Sequence, residues 1–166
     1  AADHWKTVPD IMCVAKGIAG GIPMGVTLVR PDILSVMKKG EHSSTFGGNP
    51  LSCAAGTATI QALTQDGLIE NAKNMGLKFR LGLDELKDKH RIIREVRGKG
   101  LMIGVELKFE VKDILMEGIK NGILLLYSGR NILRFLPPLV ISEEDVTKTL
   151  KILDELLTNE ENRRNV

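Results

Sequence analysis

Aromatic residues are scarce in this 166-residue sequence: Phe, Trp and Tyr together make up 4%. That leaves too few rings for a stacking platform on single-stranded nucleic acid. No charge of one sign dominates either. Lys and Arg number 23 against 21 Asp and Glu, a formal net charge of +2, without the basic cluster that marks a phosphate-backbone binder. Cysteine is limited to Cys13 and Cys53, with neither a metal-ligand spacing nor a disulfide framework. Both are read as small buried hydrophobes, and a reducing cytoplasm suits them best. No apolar run reaches the roughly 18 residues of a membrane span, and no secretory leader pattern is present.

What is present is a hydrophobic fraction of 43%, enough for a packed core. The opening "AADHWKTVPD" has no initiator methionine and reads as the middle of a longer chain. Residues 10–15 form a short apolar run between Pro9 and Gly17, the pattern of a buried strand. A second strand is expected over 25–29, then a short helix over 32–38 with Pro31 in its first turn. Residues 40–50, "GEHSSTFGGNP", are a polar glycine-rich loop. Asn49-Pro50 opens a helix whose first turns carry Ser, Ala, Gly and Thr, which lets another backbone approach closely; Gly67 ends it.

A long amphipathic helix follows over 68–89. The period then changes: 91–107 reads as strand, Gly-Lys-Gly turn and strand. A helix over 111–120 closes at Asn121-Gly122. Short strands in "ILLLYS" and "NILRFLPPL" come next, and Ser142 caps a last helix with Glu143, Glu144 and Asp145 in its first turn, running to about residue 159 before a charged tail. The fold class is therefore α/β plus α+β. Residues 1–67 resemble one edge of a larger α/β domain with an interdomain helix, because two strands and one helix cannot cover both faces of a sheet. Residues 68–166 form a smaller α+β domain able to fold alone.

Lys16 ends the first apolar run and is followed by four glycines within nine residues. By pattern it is either a lysine snorkelling to water or an amine whose partly apolar site favours its neutral, nucleophilic form. Ligands collect at strand ends in open α/β sheets, and glycines beside the amine leave room for a flat ligand. "GKGLMIG" mimics a dinucleotide fingerprint, but the spacing of Gly98, Gly100 and Gly104 is wrong and a strand follows, so it is read as a hairpin.

Three ordered segments carry a resemblance: "PDIMCVAKGIAGGIPMGV", "GEHSSTFGGNPLSCAA" and "NILRFLPPL". Together they are similar to class III, pyridoxal-phosphate-dependent aminotransferases, matching the C-terminal portion of that fold type I transferase. "HSSTFGGNPLSCAA" and "EVRGKGLMIGVEL" look closest to acetylornithine aminotransferases and their acetyl-lysine or aminoadipate-semialdehyde relatives. The resemblance implies that Lys16 joins pyridoxal 5'-phosphate covalently and moves a proton between substrate and cofactor carbons. It implies that Thr45 contacts the cofactor phosphate in a neighbouring subunit's site, Ser44 the acylated substrate, and Arg134 the substrate carboxylate, where a planar fork pairs two-pronged.

No metal is implied. His42 is read as solvated and Glu106 as a strand-face carboxylate without a role. An aspartate for the pyridine nitrogen, a glycine-rich phosphate turn and a stacking aromatic are not found; Asp3, Asp10 and Trp5 stand in the wrong context.

The expected reaction passes the terminal amine of N-acetylornithine or a similar blocked diamine to 2-oxoglutarate, in arginine or lysine biosynthesis, by a cytoplasmic homodimer with shared sites. The 166 residues alone are expected to be inactive and to associate through exposed apolar faces. The alternatives are a class III enzyme acting on 4-aminobutyrate or ornithine, and a non-enzymatic α+β interaction domain.

Overall fold

A computed structural model describes residues 2–165. The chain divides between Asp66 and Gly67 into two compact units. The first begins with a 3-10 turn, Ala2–Trp5, followed by β1 (Ile11–Val14), a second 3-10 turn (Lys16–Ala19) and β2 (Val26–Val29). β1 and β2 pair antiparallel with Ile11 opposite Val29 and Val14 opposite Val26. The expectation of a buried strand is corrected here. β2 is the sole sheet partner of β1 among the described residues, and alternate β1 side chains, Ile11 and Cys13, are exposed. Cys53 also faces outward, so neither cysteine is the buried hydrophobe expected.

α1 (Pro31–Leu34) is shorter than the sequence suggested. The Ser35 hydroxyl donates to the Asp32 carbonyl at 2.7 Å, and the following amides of Val36 and Met37 bond three residues back instead of four. The chain thus tightens out of the α-helix. α2 (Pro50–Gln65) starts as expected: the Asn49 side chain accepts from the Ser52 amide and Pro50 takes the first helical position. Its buried positions are Ser52 and Gly56. A side chain at Gly56 would press on the Met24 sulfur, which explains the small-residue face.

The second unit opens with α3 (Leu68–Lys89), capped by Gly67 in the left-handed conformation, at the boundaries read from periodicity. Four antiparallel strands follow in the order β3 (Ile93–Lys99), β4 (Met102–Leu107), β6 (Ile132–Phe135), β5 (Leu126–Ser128). A bulge between Ile93 and Glu95 inserts one residue into β3. Ile93 and Val96, three apart, therefore both face the core, which strict alternation forbids.

The core joins that face of the sheet to α3, α4 (Lys112–Lys120) and α5 (Glu143–Arg164). Phe79 meets Phe135 edge to face with ring centroids 5.1 Å apart. Gly76 on α3 lies against the backbone of Gly100 in the β3–β4 turn, an approach that a side chain would block.

β5 starts later than expected because the Ile123 amide is spent closing α4 on the Gly118 carbonyl at 2.9 Å. α5 runs further than expected, through the charged tail to Arg164. Glu160, nearly buried, accepts from Arg163 at 2.7 Å and Arg164 at 2.6 Å. Arg163 also reaches Asp113, and the Arg164 guanidinium stacks 3.7 Å above the Phe109 ring. These partners hold the last turn in place. At its other end Ser142 and Asp145 form a reciprocal capping box.

Candidate functional site

Lys16 lies two residues past the end of β1, opens the 3-10 turn and has φ +60, a left-handed conformation in which a residue with a side chain is uncommon. Its side chain is exposed and makes no ion pair or hydrogen bond among the described residues. The polypeptide then turns through Gly20 (φ +60) and Gly21 (φ +114) against α2, where Gly20 packs so near the Thr59 hydroxyl that an added Cβ would lie 3.2 Å from it. Asp10, just upstream, is occupied: Arg30 donates to it at 2.6 Å and grips Asp32 with Nε and Nη2.

The glycine-rich loop folds back on itself, the Gly47 amide donating to the Ser44 carbonyl at 3.3 Å. A Cβ at Gly47 would stand 3.0 Å from that of Ser44, so a side chain there would crowd the turn. Ser44 lines a cleft of about 320 Å³ with Pro23, Gly25, Gly48 and Asn49; Lys16 and Thr45 are not among its walls. Neither the Ser44 nor the Thr45 hydroxyl makes a hydrogen bond among the described residues, so Thr45 is not a turn hydroxyl tied to its own backbone. His42 is exposed, as read.

Sequence reading missed what fastens this cleft. Asn49 Nδ2 donates to the Phe46 carbonyl at 3.0 Å and to Ser52 Oγ at 3.1 Å, and Ser52 Oγ donates to the Pro23 carbonyl at 3.3 Å. Asn49 was legible as a helix cap. Its second task, tying the loop to the segment that follows the lysine, depends on contact with a residue 29 positions from Ser52.

Arg134 sits on β6, on the sheet face away from the core, with Gly104 opposite it. It forms no ion pair among the described residues, and its Nε is buried without an acceptor. Such orphaned donors are rare in folded proteins and costly to keep. Glu106, by contrast, is 17% exposed and bridges Arg94 and Arg97. The Arg97 hydrogen bond is the main influence holding its carboxyl below the usual carboxylate range. A second missed group is His90, 2% exposed, whose ring nitrogens face Asp154 at 2.6 Å and Glu161 at 2.9 Å. Those carboxylates lie 64 and 71 residues away in sequence, so no local pattern announces them.

No group of three or more His, Cys, Asp or Glu side chains suited to a metal occurs among the described residues. No helix there is long and apolar enough to cross a membrane.

Known proteins give a consistent comparison. Acetylornithine aminotransferase of Caldanaerobacter subterraneus is 45% identical over 157 residues, covering 94% of this chain and 40% of that protein. Its counterpart in Methanocaldococcus jannaschii is 38% identical over 160 residues, covering 95% and 40%. The chain thus spans about 40% of the length of the curated relatives it matches. Among solved structures, acetylornithine aminotransferase from Elizabethkingia anophelis superposes with TM-score 0.90 at 34% identity, over 95% of this chain and 43% of that one. Ornithine aminotransferase from Toxoplasma gondii, with pyridoxal phosphate partially occupying its active site, gives 0.92 at 34% identity, over 99% and 40%. The fold is accordingly part of a pyridoxal-phosphate-dependent aminotransferase fold. Residues 1–157 match the family model of class III aminotransferases, and the chain belongs to that family.

Proposed function

We propose that this chain carries the lysine-bearing part of an aminotransferase that moves the terminal amine of N-acetylornithine, or a similar blocked diamine, to 2-oxoglutarate. The observation that carries the reading is Lys16: an exposed, unpaired amine at a strand end, held at φ +60 at a cost on the order of 1 kcal/mol. Strain kept at a lysine beside a glycine turn supports a chemical task for it.

The residues fit pyridoxal phosphate. Lys16 offers the amine for its aldehyde, and the uncommitted hydroxyl of Thr45 beside the Gly47-Gly48 turn suits a phosphate. When bound, that cofactor supplies an electron-withdrawing ring that acidifies the carbon bearing the substrate amine. Lys16 would hold it through its amine and, with that amine free, would move the proton at that carbon. Thr45 donates to phosphate oxygen, in the site of a second copy of the chain. Ser44 contacts the acyl group, and Arg134 orients the substrate through its carboxylate.

Exposed Phe46 (81%), Leu51, Trp5 and Val8 in the first unit support a homodimer. The setting we infer is the cytoplasm and arginine or lysine biosynthesis. Asp10 is committed to Arg30 and supplies no partner for the ring nitrogen; the 166-residue chain alone is therefore expected to turn over little or no substrate. Family membership favours this reading over an interaction domain. Ornithine is the second donor to test, given the ornithine aminotransferases among the similar structures.

The test is glutamate formation from 2-oxoglutarate with each candidate donor, using the protein isolated from its own cells. Turnover with N-acetylornithine that Lys16→Ala abolishes supports the proposal. Turnover that survives Lys16→Ala contradicts it.

A further inference from the structure

Arg97, Gly104 and Arg134 occupy one row across β3, β4 and β6, since Arg97 pairs with Gly104 and Gly104 with Arg134. Glu106, two residues along β4, shares their face and stands diagonally from Arg134. Diagonal neighbours lie roughly 7–8 Å apart, within reach of long side chains. A carboxylate this near would ordinarily claim a free guanidinium. It does not, because both of its oxygens are held by other donors. Glu106 Oε2 accepts from Arg97 Nη1 at 2.9 Å, and Oε1 accepts from Arg94 Nη1 at 3.1 Å and Asn131 Nδ2 at 3.5 Å.

The β3 bulge places Arg94 beside Glu106. Glu95, opposite Glu106, braces the same Arg97 Nη1 at 2.5 Å. Gly104 adds no side chain to the row, and a Cβ there would crowd Ile132 at 3.3 Å. Arg134 is left with a buried Nε and no acceptor.

We propose that Arg97, assisted by Arg94, is a positioning residue that holds Glu106 away from Arg134 and so keeps Arg134 open for the carboxylate of a substrate. The inference rests on the reading of Arg134 as the carboxylate-binding arginine. The surplus of cations over carboxylates on this face is then functional: two arginines engage Glu106, and the third stays available.

The Arg134 Nε–H resonance of the isotope-labelled 166-residue chain reads this directly. In the wild type it is expected at the position of a donor without an acceptor. Arg97→Met is expected to shift it to that of a charge-assisted hydrogen bond, and Arg97→Met combined with Glu106→Gln to return it. Loss of packing alone would not be reversed by the second substitution. An Arg134 signal unmoved by Arg97→Met overturns the proposal. Should Arg97→Met lose the folded spectrum, Arg97→Gln carries the same readout.

Titration with glutarate separates this from the reading beneath it. Wild-type Arg134 is expected to respond, with apparent affinity about tenfold weaker in Arg97→Met if Glu106 occupies Arg134 about nine-tenths of the time. A wild-type signal indifferent to glutarate overturns the carboxylate role of Arg134. The position of the Arg97→Met signal still decides whether Arg97 keeps Glu106 away.

Discussion

His90 and Asp154 meet at 2.6 Å, joining the residue that ends α3 to the middle of α5. Lys89 donates to the same carboxylate, and Glu161, two turns further along the same face of α5, faces the other ring nitrogen of His90. Asp154→Ala leaves a histidine that is 2% exposed with one ring nitrogen unpaired. The expected loss is about 1–3 kcal/mol, measured by urea unfolding of the chain.

The same pair shapes the response to acid. Hydrogen bonds from Lys89 first, and from His90, hold the Asp154 carboxyl below its ordinary value of 3.8. The folded state therefore binds fewer protons than the unfolded state as pH falls through this range. The stabilisation is complete above the ordinary value and drains away as pH drops below it. The stability gap between wild type and Asp154→Asn is expected to narrow from pH 6 to about pH 2. A gap that stays constant over that range contradicts the coupling.

Gly76→Ala is expected to destabilise the second unit by about 1–3 kcal/mol. The new methyl would fall on the Gly100 backbone, which cannot swing aside as a side chain can. Gly100 is itself in the left-handed conformation, φ +54, at the hairpin turn. Denaturant midpoints of the chain measure the loss; an unchanged midpoint shows that the helix and hairpin can separate at no cost.

Arg134→Lys keeps the charge and loses the fork. With Arg134 as the carboxylate arginine, kcat/KM for 2-oxoglutarate is expected to fall roughly hundredfold, the worth of a lost charge-assisted bond. Folding stability is expected to hold or rise, because Arg134 makes no hydrogen bond or ion pair among the described residues and the substitution removes its orphaned buried Nε. A large stability loss with unchanged kinetics would mark Arg134 as structural.

Local chemistry made much of the fold legible. Asn49-Pro50, the acidic turn after Ser142 and the apolar stripe of α3 act within one or two helical turns, so the sequence displays them. Misreadings arose where distant residues decide. α5 continues past residue 159 because Asp113 and Phe109 receive Arg163 and Arg164. β1 reads as buried from its composition, yet it pairs only with β2 among the described residues. The resemblance singled out Arg134, but the groups that leave it unpaired could be known only from the strand register. Lys16 and its glycines were legible; its left-handed backbone was not.

The central claim is that Lys16 holds the cofactor. Borohydride reduction of the protein isolated from its own cells with pyridoxal phosphate, followed by mass analysis of its peptides, tests it most directly. The account predicts the reduced cofactor's mass on the peptide containing Lys16 and on no other. Cofactor mass on a different lysine, with the Lys16 peptide unmodified, would contradict it.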